Sequence, residues 1–153
     1  MIVYALALLI GLVAGLRAFL APAAVSWAAH LGWLRLDDTW LAFLGYAWTP
    51  WILTLLALVE LVTDQLPSTP RRTVPVQFAA RIVMGAVAGA ALASAGGLLP
   101  GALAGIVGAV IGTLAGRSVR AQMAAAFGRD PPAALVEDAV AIIAAALIVV
   151  ATR

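Results

Sequence analysis

Long apolar runs, separated by short polar segments, dominate the pattern along the chain. A helix needs about 20 apolar residues to cross a bilayer. The runs that approach or exceed this length are 2–29, 48–62, 76–95, 98–114 and 133–151, the fourth continuing as an amphipathic stretch to residue 127. Arg17 and Pro22 interrupt the first run. The pattern predicts an all-α, polytopic transmembrane helix bundle of about five spans, forming a single integral membrane domain over 1–153.

The connecting segments carry residues that end helices. Segment 34–39 is polar, and Pro67, Pro70 and Pro75 exclude a regular helix from the segment 65–75. A Gly-Gly pair at 96–97 predicts a tight turn, and the segment 128–132, Gly-Arg-Asp-Pro-Pro, predicts a helix stop followed by a new helix start.

Composition gives the same class of protein. Apolar residues make up 65% of the 153 residues, charged residues 10%, and mean hydropathy is +1.10, whereas a soluble domain is about a quarter charged. A chain this short leaves much of its surface exposed, so the surface itself must be apolar and its expected partner is the lipid bilayer. With no Cys and one His, His30, neither a Cys- or His-based metal site nor a cofactor is predicted, and a Mg²⁺ ion bound with a lipid phosphate by Glu60 and Asp64 is the alternative that stays open.

The nine basic residues are all Arg, which with the high Ala and Gly content indicates a GC-rich bacterial genome. They lie in loops and near helix ends, so a nucleic-acid partner is not expected. Most would fall on one side of a five-span bundle: Arg71, Arg72, Arg81, Arg117, Arg120 and Arg129. By the positive-inside rule this predicts the bacterial inner membrane with the N-terminus inside and the C-terminus outside. All five Trp lie between residues 27 and 51, which predicts an interfacial segment on the outer face, acting as an anchor or as a lid.

Two strings recur in the same order along the chain. Segment 10–15, Ile-Gly-Leu-Val-Ala-Gly, resembles segment 111–116, and Ala-Leu-Val-Glu occurs at both 57–60 and 134–137. The matches predict repeat halves 1–75 and 76–153. With five spans, the first and fourth would run in opposite directions, which is the inverted repeat typical of channels and secondary transporters. Duplication for packing alone is the other interpretation.

Ionisable residues inside or beside the apolar runs are the candidates for chemistry, because such groups are costly in a membrane and are usually functional or paired. The candidate polar site comprises Arg17, Glu60, Asp64, Arg81, Arg117, Arg120, Glu137 and Asp138. A cavity that binds an anion, a phosphate headgroup or a proton is one interpretation, and interhelical salt bridges are the other.

Glycines spaced four apart predict close helix packing, within the chain or in a homodimer or higher homo-oligomer. The predicted packing positions are Gly11, Gly15, Gly85, Gly89, Gly108, Gly112 and Gly116.

Two motifs carry a family resemblance. The string Gly15-Leu16-Arg17-Ala18-Phe19 with Pro22, and the string 60–67, Glu-Leu-Val-Thr-Asp-Gln-Leu-Pro, are followed by Arg81 and small residues at 85, 86 and 89. With these motifs the chain resembles the small bacterial membrane proteins catalogued as domain of unknown function 4126. In that family Lys often follows the Asp, where this chain has Gln65. The resemblance implies an integral membrane protein and no particular activity.

Three functions remain open, and the substrate is unknown. The first is a small transporter or channel-like protein for a small solute, ion or lipid. The second is a membrane enzyme or binding protein for a lipid or isoprenoid phosphate, although catalytic motifs are nearly absent. The third is a scaffold subunit of a membrane complex.

Overall fold

The computed structural model describes residues 1–66 and 74–153, and every regular element in these ranges is helical. The elements are α1 (Ile2–Leu16), α2 (Leu20–His30), a short 3₁₀ helix (Ala42–Gly45), α3 (Thr49–Thr63), α4 (Pro75–Leu92), α5 (Leu98–Phe127) and α6 (Asp130–Val150). The predicted all-α class is confirmed. The predicted loop with Pro67, Pro70, Arg71 and Arg72 lies outside the described residues.

The prediction that segment 2–29 forms a single span is wrong, because this segment folds as two helices. α1 ends at Leu16, and Arg17 adopts an extended backbone with φ −140° and ψ 111°. α2 begins at Leu20 and places Pro22 in its first turn, where the missing N–H breaks no helical hydrogen bond.

The chain reverses direction at this break. Arg17 contacts Asp138 of α6, while at the other end of α2 the Arg153 guanidinium lies 4.6 Å from the centre of the Trp33 ring. α2 therefore runs in the same direction as α6. α1 runs the opposite way, since the Tyr4 hydroxyl donates to the Gly96 carbonyl (2.5 Å) at the far end of the bundle.

The six α-helices of the described ranges thus alternate in direction, and both termini lie at the end of the bundle opposite Arg17. This arrangement differs from the predicted one, which has the termini on opposite sides of the membrane, because folding the first span into a hairpin adds one reversal. α4, α5 and α6 are long and apolar enough to cross a membrane by length and composition, and α1 and α3 are shorter apolar helices. The predicted number of about five spans is accordingly approximate.

Glycines bring α1, α4 and α5 into backbone contact. A Cβ atom added at Gly11 would lie 2.2 Å from the Gly105 carbonyl oxygen, and one at Gly105 would lie 2.1 Å from the Gly85 carbonyl oxygen. The same holds for a Cβ at Gly108, which would lie 2.1 Å from the Leu8 carbonyl oxygen. Five further positions in these helices show such backbone contacts or are buried: Gly15, Gly89, Gly101, Gly112 and Gly116.

The recurring strings do not have the predicted inverted relationship. α1 and α5 run parallel, because Gly11 lies against Gly105 and Gly15 lies against Thr113. α3 and α6 are antiparallel, yet Glu60 and Glu137 lie at the same end of the bundle. No in-plane two-fold axis relates both pairs of strings, and the division into halves 1–75 and 76–153 stays a prediction.

The predicted interfacial segment is only partly at the surface. α2 packs inside the bundle, with Ala21, Val25 and Ala28 fully buried. Trp40 and Trp48, which follow α2 at the end that holds the termini, are exposed. α2 is buried because its small side chains allow it to pack closely between the neighbouring helices.

Candidate functional site

The site is built on the break between α1 and α2, where two helix ends lie inside the bundle. Each helix end leaves backbone groups without intrahelical partners. At the end of α1, Arg81 donates from Nη1 to the carbonyls of Gly15 (2.9 Å) and Leu16 (2.6 Å). At the start of α2, the Glu60 carboxylate accepts from the amides of Ala18 and Phe19 at 2.7 and 2.9 Å.

The charges match the helix dipoles at the break. A guanidinium lies at the negative end of α1 and a carboxylate at the positive end of α2, and both arrangements are favourable. Arg81 is 1% exposed, so its charge acts in a medium that screens weakly. α4 and α3 therefore supply the caps that the broken helix lacks in its own sequence.

Arg17, the residue at the break, is fully buried and surrounded by carboxylates. Its Nε donates to Asp138 Oδ1 at 2.6 Å, and its guanidinium forms ion pairs with Asp64 and Asp138. Glu137 Oε2 lies 3.9 Å from Nη2. A buried charge is tolerated only with such pairing, so α3 and α6 together hold Arg17 in place.

Asp64 links the two buried arginines. Besides its ion pair with Arg17, its Oδ2 lies 3.7 Å from Arg81 Nη2, and the same Arg81 nitrogen lies 3.6 Å from Glu60 Oε1. Side chains from α3, α4 and α6 therefore meet Arg17 in one charged network at the break between α1 and α2. We call this network, together with Arg120 and its partners Asp130 and Glu137, the charged cluster.

Arg120 extends the charged cluster toward the end of the bundle. It donates to Asp130 Oδ2 at 2.5 Å and to the Asp64 carbonyl at 3.2 Å, and lies 3.5 Å from Glu137 Oε2. Gln65 donates to Asp138 Oδ2 at 3.4 Å.

Seven of the eight predicted polar residues come together here: Arg17, Glu60, Asp64, Arg81, Arg120, Glu137 and Asp138. Arg117 does not join them. It lies one helical turn beyond Thr113, which contacts Gly15 near the end of α1, and it is exposed. Within residues 1–66 and 74–153 it makes no ion pair.

Sequence reasoning missed Gln65 and Asp130. Asp130 stands seven residues before Glu137, so two helical turns place both on one face of α6, which is a pattern that the sequence does contain. Gln65 follows Asp64, but nothing in the sequence connects it with Asp138. The sequence also gives no sign that backbone carbonyls and amides of residues 15–19 bind side chains of the site.

A small cavity opens beside the break, between α3 and α4. Its volume is about 190 Å³, room for several water molecules at about 30 Å³ each. The residues that line it are Ala18, Phe19, Leu56, Val59, Glu60, Thr63, Asp64, Gln77 and Ala80. The two charged side chains of this lining are both carboxylates, so the cavity is acidic although arginines lie directly behind them.

The carboxylates are engaged by arginines rather than gathered around a common point. In the parts of the chain that the structure describes, no group of three or more His, Cys, Asp or Glu residues is arranged to hold a metal ion.

An all-helical bundle with three helices long and apolar enough to cross a membrane is typical of polytopic membrane proteins. The chain belongs to the family described as Domain of unknown function (DUF4126), whose model matches residues 4–152. Neither the curated proteins nor the solved structures contain a match to the chain.

Proposed function

We propose that the protein is a small transporter or channel-like protein and that the charged cluster is the site through which a small cation or a proton passes. The observation that carries the proposal is the broken helix, whose free backbone groups and buried charges lie inside an apolar bundle. Non-helical backbone at membrane depth is tolerated where it is buried in protein or lines a polar cavity, and broken helices form the binding sites of many secondary transporters.

The depth of the charged cluster supports this proposal. From Asp138, α6 continues for twelve residues to Val150 and for eight residues back to Asp130. At 1.5 Å per residue these lengths are about 18 Å and about 12 Å. Measured along α6, the contact with Arg17 therefore lies within the helix rather than at its end.

The cavity beside the break favours a cation over an anion. Glu60 and Asp64 line it, whereas Arg17 and Arg81 lie behind them and do not. A cation that enters would meet carboxylate oxygens first. A proton could reach the same oxygens through water molecules in the cavity.

The arginine distribution gives an orientation for this proposal. Arg81, Arg120 and Arg129 lie toward the end that carries the charged cluster, while Arg35 and Arg153 lie toward the other. By the positive-inside rule the cluster end is cytoplasmic. Both termini would then lie on the outer side of a bacterial inner membrane.

The two other functions have less support. A metal-dependent enzyme acting on a lipid phosphate would gather carboxylates around an ion, whereas Asp64 and Asp138 pair with Arg17. A scaffold subunit would present its glycine face outward, but Gly11, Gly85 and Gly105 are in contact inside the chain. A homodimer or higher homo-oligomer stays a prediction.

Flux into proteoliposomes tests the proposal. The protein would be reconstituted with an internal fluorescent indicator for the ion under test, and gradients of H⁺, Na⁺ or K⁺ would be imposed in turn. We expect wild type to accelerate the dissipation of one of these gradients, Asp64→Asn to abolish the effect, and Asp37→Asn at the opposite end to retain it.

Thermal unfolding of the purified protein with the same ions provides a second readout, because a ligand that binds the folded state raises the Tm by mass action. If no gradient is dissipated and no ion raises the Tm of the wild type, the proposed function is wrong.

A further inference from the structure

α3 is the least embedded of the helices that meet at the charged cluster. Its buried residues are Pro50 and Ala57, while large apolar side chains such as Leu55 and Val62 are more than 60% exposed. Its backbone neighbours are α2 and the 3₁₀ helix.

Open space borders α3 on two sides. The 190 Å³ cavity separates its cluster end from α4. On the other side, a cavity of about 450 Å³ lies between α2, α3 and α6, where Ala57 and Leu61 face the segment of α6 around Ile142. Apart from the contacts of Glu60 and Asp64 with Arg81, α3 is therefore separated from α4 and α6 by open space along these two sides.

Besides its packing against α2, α3 makes specific side-chain contacts in its first half and at its end. Near its start, Trp27 of α2 donates from Nε1 to Thr54 Oγ1 at 3.0 Å and packs edge-on against Trp51, with ring centres 5.0 Å apart. At its end, Glu60 and Asp64 make the ionic and hydrogen-bonded contacts of the charged cluster. The contacts of Glu60 and Asp64 are polar and can exchange for water, unlike apolar packing.

α1, α4 and α5 differ from α3 in this respect. Their backbones touch at Gly11, Gly85 and Gly105, where even a methyl group does not fit. Interfaces packed this closely transmit motion as rigid units.

We propose that α3 is the moving gate of this protein. It pivots at its contacts with Trp27 of α2 and moves relative to the rigid unit of α1, α4 and α5. The contacts of Glu60 and Asp64 form the latch that holds it closed. Opening withdraws the Glu60 carboxylate from the amides of Ala18 and Phe19 and exposes the broken helix to the widened cavity. The gating role rests on the proposed transport function, whereas the motion itself does not.

Because the chain has no native Cys, single engineered cysteines report the motion without background. Ala80→Cys places a thiol on the α4 side of the cavity, and its labelling rate in detergent with a polar methanethiosulfonate reagent measures access. We expect Asp64→Asn to raise this rate roughly tenfold, the change for about 1.4 kcal/mol in the opening equilibrium. The matched control, Asp37→Asn, should leave the rate unchanged.

Folding of each variant is checked by its elution volume and by the labelling of a second site. Tyr46→Cys serves as this second site, because Tyr46 is exposed at the end of the bundle opposite the charged cluster. Its labelling rate should not respond to Asp64→Asn. If Asp64→Asn raises both rates equally, or leaves the rate at position 80 unchanged in a folded protein, the gate proposal is wrong.

Cross-linking separates this inference from the proposed function. In the double variant Val59→Cys, Ala80→Cys, a short bifunctional methanethiosulfonate ties α3 to α4 across the cavity. We expect flux before cross-linking, its loss afterwards and its recovery on reduction. Flux that persists after complete cross-linking overturns the gate and leaves the transporter intact. An absence of flux from every protein, with labelling at position 80 still sensitive to Asp64→Asn, supports the motion and overturns the transport function.

Discussion

Glu60 and Arg81 cap the two sides of one helix break: the carboxylate holds the first amides of α2, and the guanidinium holds the last carbonyls of α1. Their side chains lie 3.6 Å apart. An acid and a base from two different helices thus replace the hydrogen bonds that a continuous helix would have made, and they also neutralise each other.

Replacing Glu60 should reveal the value of the amide cap. Glu60→Ala removes the carboxylate acceptor of the Ala18 and Phe19 amides in a partly buried position, which costs up to about 1–3 kcal/mol for each group left unsatisfied. Glu60→Gln keeps one acceptor oxygen and should lose less. Chemical unfolding in detergent, followed by the fluorescence of the Trp residues, measures the difference. Equal stability of the two variants would contradict this account of the cap.

Arg17 and Asp138 should be strongly coupled. Removing Arg17 alone takes away the ion pair of the buried Asp138 and leaves Asp64 with its contact to Arg81, with a cost of roughly 3–5 kcal/mol. The double variant Arg17→Met, Asp138→Leu should regain part of this stability. A double-mutant cycle on the free energy of unfolding measures the coupling, and additive effects would show that the pair does not act as a unit.

Two arginines three residues apart on α5 should behave differently. Arg120→Ala removes contacts with Asp130, Glu137 and the Asp64 carbonyl, so we expect a lower Tm. Arg117→Ala changes an exposed side chain outside the charged cluster and should leave the Tm unchanged. Equal shifts in the Tm of the two variants would indicate a general effect of arginine in this segment.

Gly105 should tolerate no side chain. A Cβ at this position would lie 2.1 Å from the Gly85 carbonyl oxygen, so Gly105→Ala must separate α4 from α5, at a cost of about 1–3 kcal/mol for overpacking. The control is Gly45→Ala, where the nearest atom to the new Cβ lies 3.8 Å away. Thermal unfolding of both variants tests the expectation, which fails if Gly105→Ala is as stable as the control.

The sequence predicts the helical class and most of the charged cluster, because ionisable residues in apolar runs are rare and must find partners. Arg17 and Glu60 stand out for this reason. The reversal at Arg17 was not predictable, since hydropathy does not distinguish a long interrupted helix from a hairpin of two short helices.

The direction of the helices shows the same limit. Segments 10–15 and 111–116 have similar sequences, but whether they run parallel or antiparallel depends on how many times the chain reverses direction between them. One unforeseen turn at residue 17 makes α1 and α5 parallel. The sequence places Arg117 with the charged cluster because spacing along α5 does not show where the neighbouring helix α1 ends.

The tip of the α1–α2 hairpin is synthesised long before the groups that neutralise it. Asp138 follows Arg17 by 121 residues along the chain, and Glu60 follows Ala18 by 42. During synthesis the arginine and the uncapped backbone therefore leave the ribosome without partners, and lipid is a costly environment for both. The hairpin can settle at its final depth only after α3, α4 and α6 have been made, so membrane integration of the first helices is completed last.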